Sequence, residues 1–270
     1  GVPDAPLITG GRIYAEVDST ATVNTGLAIA NPNGQTATIN FTLTDTAGVA
    51  FSNGTRDIGP NQQVAGFLNE TPYNSGTGFQ GTFSFTSNVP VAVVALRGFL
   101  NERSDFLLTT LPVVDTSKGA ATGTQVVPQF AVGDGWGTQI ILVNPTDSAL
   151  TGTVQFLNPG SGSTPGAAVN VNINGQVASS GSYSVAARSS QKLAASAAAA
   201  GLTYGSVRIV PAGGGLAPTP LVIFSYKPGL ITLSEAGVPV TMGTAFRMYV
   251  EASATPVIIS GIAVANTTSV

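Results

Sequence analysis

The sequence contains neither cysteine nor histidine. Without cysteine, the chain can form no disulfide, no thiolate nucleophile and no sulfur-ligated metal site. Without histidine, it lacks the usual general base near neutral pH and the commonest transition-metal ligand. These absences argue against an enzyme, and nothing in the sequence calls for a cofactor or a metal.

Charge is also scarce, since charged residues make up 9% of the 270 residues, against roughly 25% in typical globular chains. Ten Lys and Arg residues and a net charge of −3 give no basic stripe for nucleic acid. No stretch has 18 continuous apolar residues, so we expect no membrane span. The polar surface must come from Thr, Ser, Asn and Gly, which suits a secreted protein.

The sequence does show a regular alternation of apolar and polar residues. Ile39, Phe41 and Leu43 alternate with Thr and Asn, and the same period of two recurs along the chain. This pattern is typical of strands with one face in a core and one in water. Leu221–Phe224 is apolar on both faces, as expected for a central strand. Only residues 194–200 look helical.

The strand-like segments occur in the same order twice along the chain. This repetition predicts an all-β chain of two tandem immunoglobulin-like antiparallel β-sandwich domains. We place the first domain at residues 1–115, a linker at 116–124 and the second domain at 125–244. Residues 245–270 repeat the opening of the chain: 247–270 align without a gap on residues 12–35, 235 positions earlier. They therefore predict the first two strands of a third repeat.

Three runs carry a resemblance to a known kind of protein: residues 102–115, 135–156 and 234–253. They resemble tandem β-sandwich repeats of large, mostly uncharacterised secreted proteins of soil bacteria. The resemblance implies this architecture and an extracellular or cell-surface location, and it brings no catalytic residues.

The C-terminal repeat is the first candidate site. A two-strand hairpin is marginal alone in water, so its apolar side chains need a partner. We predict assembly contacts at six of them: Met248, Val250, Val257, Ile259, Ile262 and Val264. The partner could be the chain's own second domain, an adjacent repeat of the same chain, or another copy in a head-to-tail polymer.

The charged residues offer a second, weaker candidate. Arg97, Glu102, Arg103 and Asp105 form the densest charge cluster, which would be either a recognition loop or a local ion-pair network. Trp136, the only tryptophan, would either stack on a sugar or plug the end of a sandwich. Glu16 and its repeat Glu251 are expected on the solvent side, paired with a neighbouring basic residue or hydroxyl.

These patterns favour a non-enzymatic structural subunit of an extracellular fibre or surface filament. The alternative is an adhesin or carbohydrate-binding module of a larger secreted protein, and a scaffold segment of a secreted enzyme ranks third. The open questions are whether the tail pairs within or between molecules, and which ligand, if any, the domains bind.

Overall fold

The computed structural model describes residues 5–267, and its regular structure consists of antiparallel strands with two short 3₁₀ turns. This confirms the all-β prediction. The first eight strands are β1 (Leu7–Val17), β2 (Val23–Ala30), β3 (Ala37–Asp45), β4 (Ala50–Ile58), β5 (Gln63–Phe67), β6 (Phe79–Leu100), β7 (Phe106–Leu111) and β8 (Val114–Asp115).

The next ten strands are β9 (Gln125–Val132), β10 (Trp136–Val143), β11 (Leu150–Leu157), β12 (Val171–Ile173), β13 (Gln176–Ala178), β14 (Ser180–Val185), β15 (Ser190–Ser196), β16 (Thr203–Pro211), β17 (Thr219–Tyr226) and β18 (Ser234–Pro239). The last two are β19 (Ala252–Ala254) and β20 (Val257–Ile259). The 3₁₀ turns lie at Thr116–Lys118 and Ala212–Gly214.

The long strand β6 organises the first group. Its first half pairs with β1 and β3, and its second half pairs with β2 and β7. The strand order is therefore β4-β3-β6-β1 in one layer and β5-β2-β6-β7 in the other. Inward side chains of both layers, Phe83 and Leu27 among them, enter one apolar core. The alternation at Ile39, Phe41 and Leu43 is confirmed, because all three are buried.

The second group has a similar plan. One sheet has the order β14-β11-β16-β9, and the other has β13-β12-β15-β10-β17-β18. Between them lies a second core, in which the rings of Phe130 and Phe156 meet edge to face with centroids 5.1 Å apart. Strands β16 and β17 take the places of the two halves of β6, and the β12–β13 hairpin is an addition.

The sheet that contains β10 and β17 is buried on both faces. Ile140 and Leu142 point into the second core, while Ile141, Leu221 and Ile223 belong to the first. This arrangement explains why Leu221–Phe224 lacks polar alternation, since a strand covered on both faces has no side exposed to water. The two groups therefore share a middle layer.

The predicted helix at 194–200 is wrong. Strand β15 extends through Ser196 and pairs with β10, and Leu193 and Ala195 are buried. Alanine favours a helix when the chain is considered alone. Here the ladder to β10 and the core contact of two side chains override that weak preference.

Residues 240–251 form no strand, and the short β19–β20 hairpin that follows pairs with no other strand in the described part of the chain. None of the residues that the structure describes form a helix long and apolar enough to cross a membrane.

Candidate assembly site: an ion-pair network and an exposed hairpin

A buried ion-pair network joins the two groups of strands. Arg97, on β6, donates from Nη1 to Glu16 Oε2 at 2.9 Å and from Nε to Glu235 Oε2 at 3.0 Å. Lys192, on β15, donates to the other oxygen of Glu16 at 2.5 Å. The side chains of Arg97, Glu16 and Glu235 are 6%, 12% and 5% exposed. Two cations thus meet two carboxylates across the contact.

The environment of Arg97 favours its charged form. Burial by itself would lower the pKa of Arg97, but the carboxylates of Glu235 and Glu16 outweigh it, and the pKa is raised above its ordinary value. Tyr14 donates its hydroxyl hydrogen to Glu16 Oε2 at 2.9 Å. Burial, together with the negative charge of Glu16, raises the pKa of Tyr14 well above its usual range. These shifts favour the charged form of Arg97 and the neutral form of Tyr14.

Glu16 corrects one expectation. It is paired with basic residues and a hydroxyl, as predicted, but it is not on the solvent side, because the second group of strands covers it. The basic partners of Glu16 come from β6 and β15, and they are 81 and 176 residues away in the chain. No local pattern in the sequence marks such a distant pairing.

Hydrogen bonds to backbone carbonyls surround the ion pairs. Arg12 Nη1 donates to the carbonyl of Asn144 at 2.6 Å, and burial lowers the pKa of Arg12 to about 10. Thr82 Oγ1 donates to the carbonyl of Arg188 at 2.6 Å, and Ser190 Oγ donates to that of Gly81 at 2.7 Å. A buried carbonyl without a donor is costly, so these side chains stabilise the contact and fix its register.

The predicted charge cluster is divided by the fold. Arg97 lies in the buried network, whereas Arg103 and Asp105 form an exposed pair with each other at 2.5 Å. Glu102 reaches across to the second group, where it accepts from the Lys227 ammonium and, at 2.7 Å, from the Thr232 amide. The hydrogen bond from Lys227 and that from the Thr232 amide lower the pKa of Glu102 to about 2. Two of the four charges therefore tie the groups together.

Trp136 lies at the start of β10 and is 40% exposed. Its ring is 4.8 Å from that of Tyr226, at an interplanar angle of 39°. Lys227 follows Tyr226 directly and contacts Glu102. The structure thus brings a second aromatic ring to Trp136, although the two residues are 90 positions apart in the sequence.

The C-terminal hairpin reproduces the internal hydrogen bonds of the first one. Thr25 Oγ1 accepts from the Glu16 amide at 2.9 Å and donates to the Glu16 carbonyl at 3.1 Å. Ser260 Oγ does the same to Glu251, at 2.8 and 3.1 Å. Tyr249 donates to Glu251 at 2.9 Å, the distance found for Tyr14 and Glu16.

The second group of strands contains the same hydroxyl bridge. Thr138 Oγ1 accepts from the Ala131 amide at 3.0 Å and donates to the Ala131 carbonyl at 2.7 Å. In each of the three segments, one hydroxyl residue therefore bridges the two sides of the opening hairpin. The repeat of Thr25 as Ser260 is visible in the sequence, but its bridging role was not predicted.

The surroundings of the two hairpins differ. Within residues 5–267, neither Arg247 nor Glu251 has an ion-pair partner. Met248 and Ile262 are 49% and 59% exposed, whereas their counterparts Ile13 and Leu27 are 0% and 3% exposed. The other four predicted assembly residues are equally open: Val250, Val257, Ile259 and Val264 are 61%, 75%, 81% and 76% exposed.

The described residues contain no group of three or more carboxylates that could hold a metal ion. The fold and the site together define a class: an all-β protein of antiparallel, sandwich-like sheets with an exposed C-terminal hairpin. No protein-family model matches the sequence, and searches of curated proteins and of solved structures give no significant match.

Proposed function

We propose that this protein is a non-enzymatic structural subunit of an extracellular fibre or surface filament, which assembles head-to-tail through its terminal strands. One observation carries the proposal: the exposed C-terminal hairpin copies a hairpin whose apolar side chains, Ile13 and Leu27 among them, are buried elsewhere in the same molecule. Four of the six predicted assembly residues, Met248, Val250, Ile262 and Val264, have buried counterparts in that hairpin. Burying four such apolar side chains is worth roughly 6–12 kcal/mol, before the cost of ordering the chain.

The fold in this proposal is a tandem array. Residues 1–115 and 125–244 are two immunoglobulin-like sandwiches joined by residues 116–124, and residues 245–270 begin a third. The support is the shared strand order of the two groups and the hydroxyl bridge that occurs in all three segments. The low charge and the Thr- and Ser-rich surface support an extracellular location.

The partner of the hairpin is another copy of the chain. In the structure, the position that the hairpin copies is held by β1 and β2 of the same molecule, which pair with β6 and β5. Assembly therefore takes the form of an exchange, in which the tail of one molecule replaces the first hairpin of the next. Exchanging an identical element between copies is a low-cost route to assembly, and an open exchange produces filaments.

An engineered disulfide tests this exchange, because the chain has no cysteine of its own. Ala28 lies opposite Ala65 across β2 and β5, and Ala263 is the repeat of Ala28. Residues directly opposite in an antiparallel pair are within disulfide range. We expect the Ala263→Cys/Ala65→Cys variant to form covalent multimers on mild oxidation.

The matched control, Ala28→Cys/Ala65→Cys, should give a crosslinked monomer on a non-reducing gel. If Ala263→Cys/Ala65→Cys yields only monomers, crosslinked or not, tail exchange between copies is wrong. Deleting residues 247–270 should also abolish filaments in negative-stain micrographs, and filaments of unchanged length would contradict the proposal.

A second candidate function is carbohydrate binding, which is favoured by the exposed Trp136 and its contact with the half-buried Tyr226, beside Lys227. Aromatic faces with neighbouring polar groups are suited to sugar rings. A glycan array with the full chain tests this function: selective binding that Trp136→Ala removes would support it. Absence of selective binding would reject it.

A further inference from the structure

A groove remains open on one side of the second group of strands. It measures about 420 Å³ and lies between β9, β17 and β18, with Val127, Val222, Phe224 and Val240 in its apolar lining. Gly261, Ile262 and Ala263 of the C-terminal tail also line it. Ile262 is nevertheless 59% exposed there, so the tail covers the groove without filling it.

The same side of the first group is almost closed. The corresponding cavity, between β1, β6 and β7, is only about 100 Å³. Strand β8 closes it by pairing along the outer edge of β1, with Asp115 opposite Gly11 and Val114 opposite Arg12. Val113 packs so closely that a Cβ on Gly11 would lie 3.0 Å from its methyl group.

The strand registers show which residues would close the second groove. Gly81 and Gly205 are equivalent, because a Cβ on either would lie 1.9 Å from a carbonyl oxygen of the neighbouring strand, β3 or β11. After Gly81, β6 pairs with β1, and after Gly205, β16 pairs with β9. Residues at the same distance from these glycines pair with Gly11 and Arg12 on β1 and with Gln125 and Val126 on β9, so the two pairs are equivalent.

Strands β7 and β18 end in the same way, in Leu111-Pro112-Val113 and Val238-Pro239-Val240. Val240 already packs against the second core, as Val113 packs against the first. The residues that follow, Thr241 and Met242, are therefore the counterparts of β8. They are exposed in the structure, and along β9 no described strand takes the outer edge.

We propose that Thr241–Met242 is a closing strand for this groove. When it pairs along β9, it replaces Gly261–Ala263 of the tail, and when it leaves, the tail returns. Closure would place Met242 opposite Gln125 and Thr241 opposite Val126, in the register of β8 on β1. Two free backbone edges would then be paired, and an apolar groove would be filled by the chain's own residues. The segment before the tail is coil from Val240 to Glu251, so closure requires no strand pairing to break within that segment.

Closure has a consequence for assembly, and this part rests on the proposed function. The tail cannot keep its place at the groove while the closing strand lies there. Closing the second group would therefore release the hairpin toward a second copy, and the structure shows the form in which the tail is held.

A disulfide pair tests the closing strand in the full chain. Gln125→Cys/Met242→Cys should form an intramolecular bond on mild oxidation and give a monomer that migrates faster on a non-reducing gel. The control is Gln125→Cys/Gly243→Cys, which is shifted by one residue and so directs the second thiol to the opposite face. It should crosslink several-fold more slowly.

Equal rates for the two variants, or disulfides formed only between molecules, would overturn the closing strand. Hydrogen exchange gives a second readout. The amides of residues 125–127 should exchange more slowly in the oxidised Gln125→Cys/Met242→Cys variant (the locked variant) than in its reduced form, and unchanged exchange would contradict pairing on β9.

Assembly of the locked variant separates the two proposals. More filament than in the reduced form would support competition between the closing strand and the tail. If the disulfide forms but the amount of filament is unchanged, the proposed competition is wrong, whereas the closing strand is supported. A lock that fails to form rejects the closing strand, whatever the tail does in the Ala263→Cys/Ala65→Cys experiment.

Discussion

Replacing Arg97 with methionine should destabilise the protein strongly. Methionine keeps much of the length and the apolar stem of arginine but removes the cation between Glu16 and Glu235. Glu235 would be left as a buried carboxylate, 5% exposed, without its ion-pair partner. Glu16 would keep Lys192 and Tyr14.

The expected loss is about 3–5 kcal/mol, the usual effect of removing one member of a buried ion pair. Most of this loss comes from the carboxylate that stays behind, since the pair itself contributes little more than well-packed apolar side chains would. In a chain of this size, a loss of that magnitude corresponds to a fall of roughly 10 °C in the melting temperature.

Urea denaturation followed by the fluorescence of Trp136 and by circular dichroism measures this loss. Arg103→Met is the matched control, because Arg103 is 59% exposed in its pair with Asp105, and exposed pairs contribute about 0–1 kcal/mol. If Arg97→Met costs no more than Arg103→Met, the network does not hold the two groups of strands together, and our account of their contact is wrong.

Three further predictions concern single residues. The pKa of Glu102 is held at about 2 in the folded protein, below its ordinary 4.5. The contribution of Glu102 to stability is therefore present above about pH 4.5 and lost as the pH falls toward 2. In urea titrations, the difference in free energy of unfolding between wild type and Glu102→Gln should shrink over that pH range. Gly81→Ala should lower the free energy of unfolding by about 1–3 kcal/mol through overpacking, because its Cβ would lie 1.9 Å from a carbonyl oxygen. Gly34→Ala is the control: a Cβ there has nothing within 4 Å, so the same denaturation assay should show almost no change. Thr25→Ala should lower the free energy of unfolding by about 1–3 kcal/mol, because it leaves buried backbone groups unpaired. Ser260→Ala, in the exposed hairpin, should leave the melting temperature unchanged. Equal effects of the two substitutions would mean that the tail is as well packed as β1 and β2.

Strand patterning could be predicted from the sequence because it is a local property. Alternation at Ile39, Phe41 and Leu43 depends only on the period of a strand and the need to bury one face. The correspondence of residues 247–270 with residues 12–35 was equally visible, since it requires only the letters. The helix predicted at residues 194–200 failed for the opposite reason: a neighbouring strand far along the chain outweighed a weak local preference.

The contacts of the charged residues could be read only from the tertiary structure. Arg97 meets Glu235 across 138 residues, and Glu102 meets Lys227 across 125. Nothing in the neighbourhood of either residue in the sequence marks it as part of a contact between sheets. Both were grouped with Arg103 and Asp105 because they are close in sequence, and the fold then separated them.

An all-β chain that repeats its own opening hairpin could be predicted from the letters alone, because strand period and repetition are carried by neighbouring residues. The folded chain was needed to show that the first copy of that hairpin is covered by an ion-pair network while the second lies exposed. Burial of a segment depends on which strands surround it, and those strands can come from any part of the chain. Two segments of similar sequence therefore differ in exposure because one has β5, β6 and the second group of strands around it, and the other has only the edge of a groove.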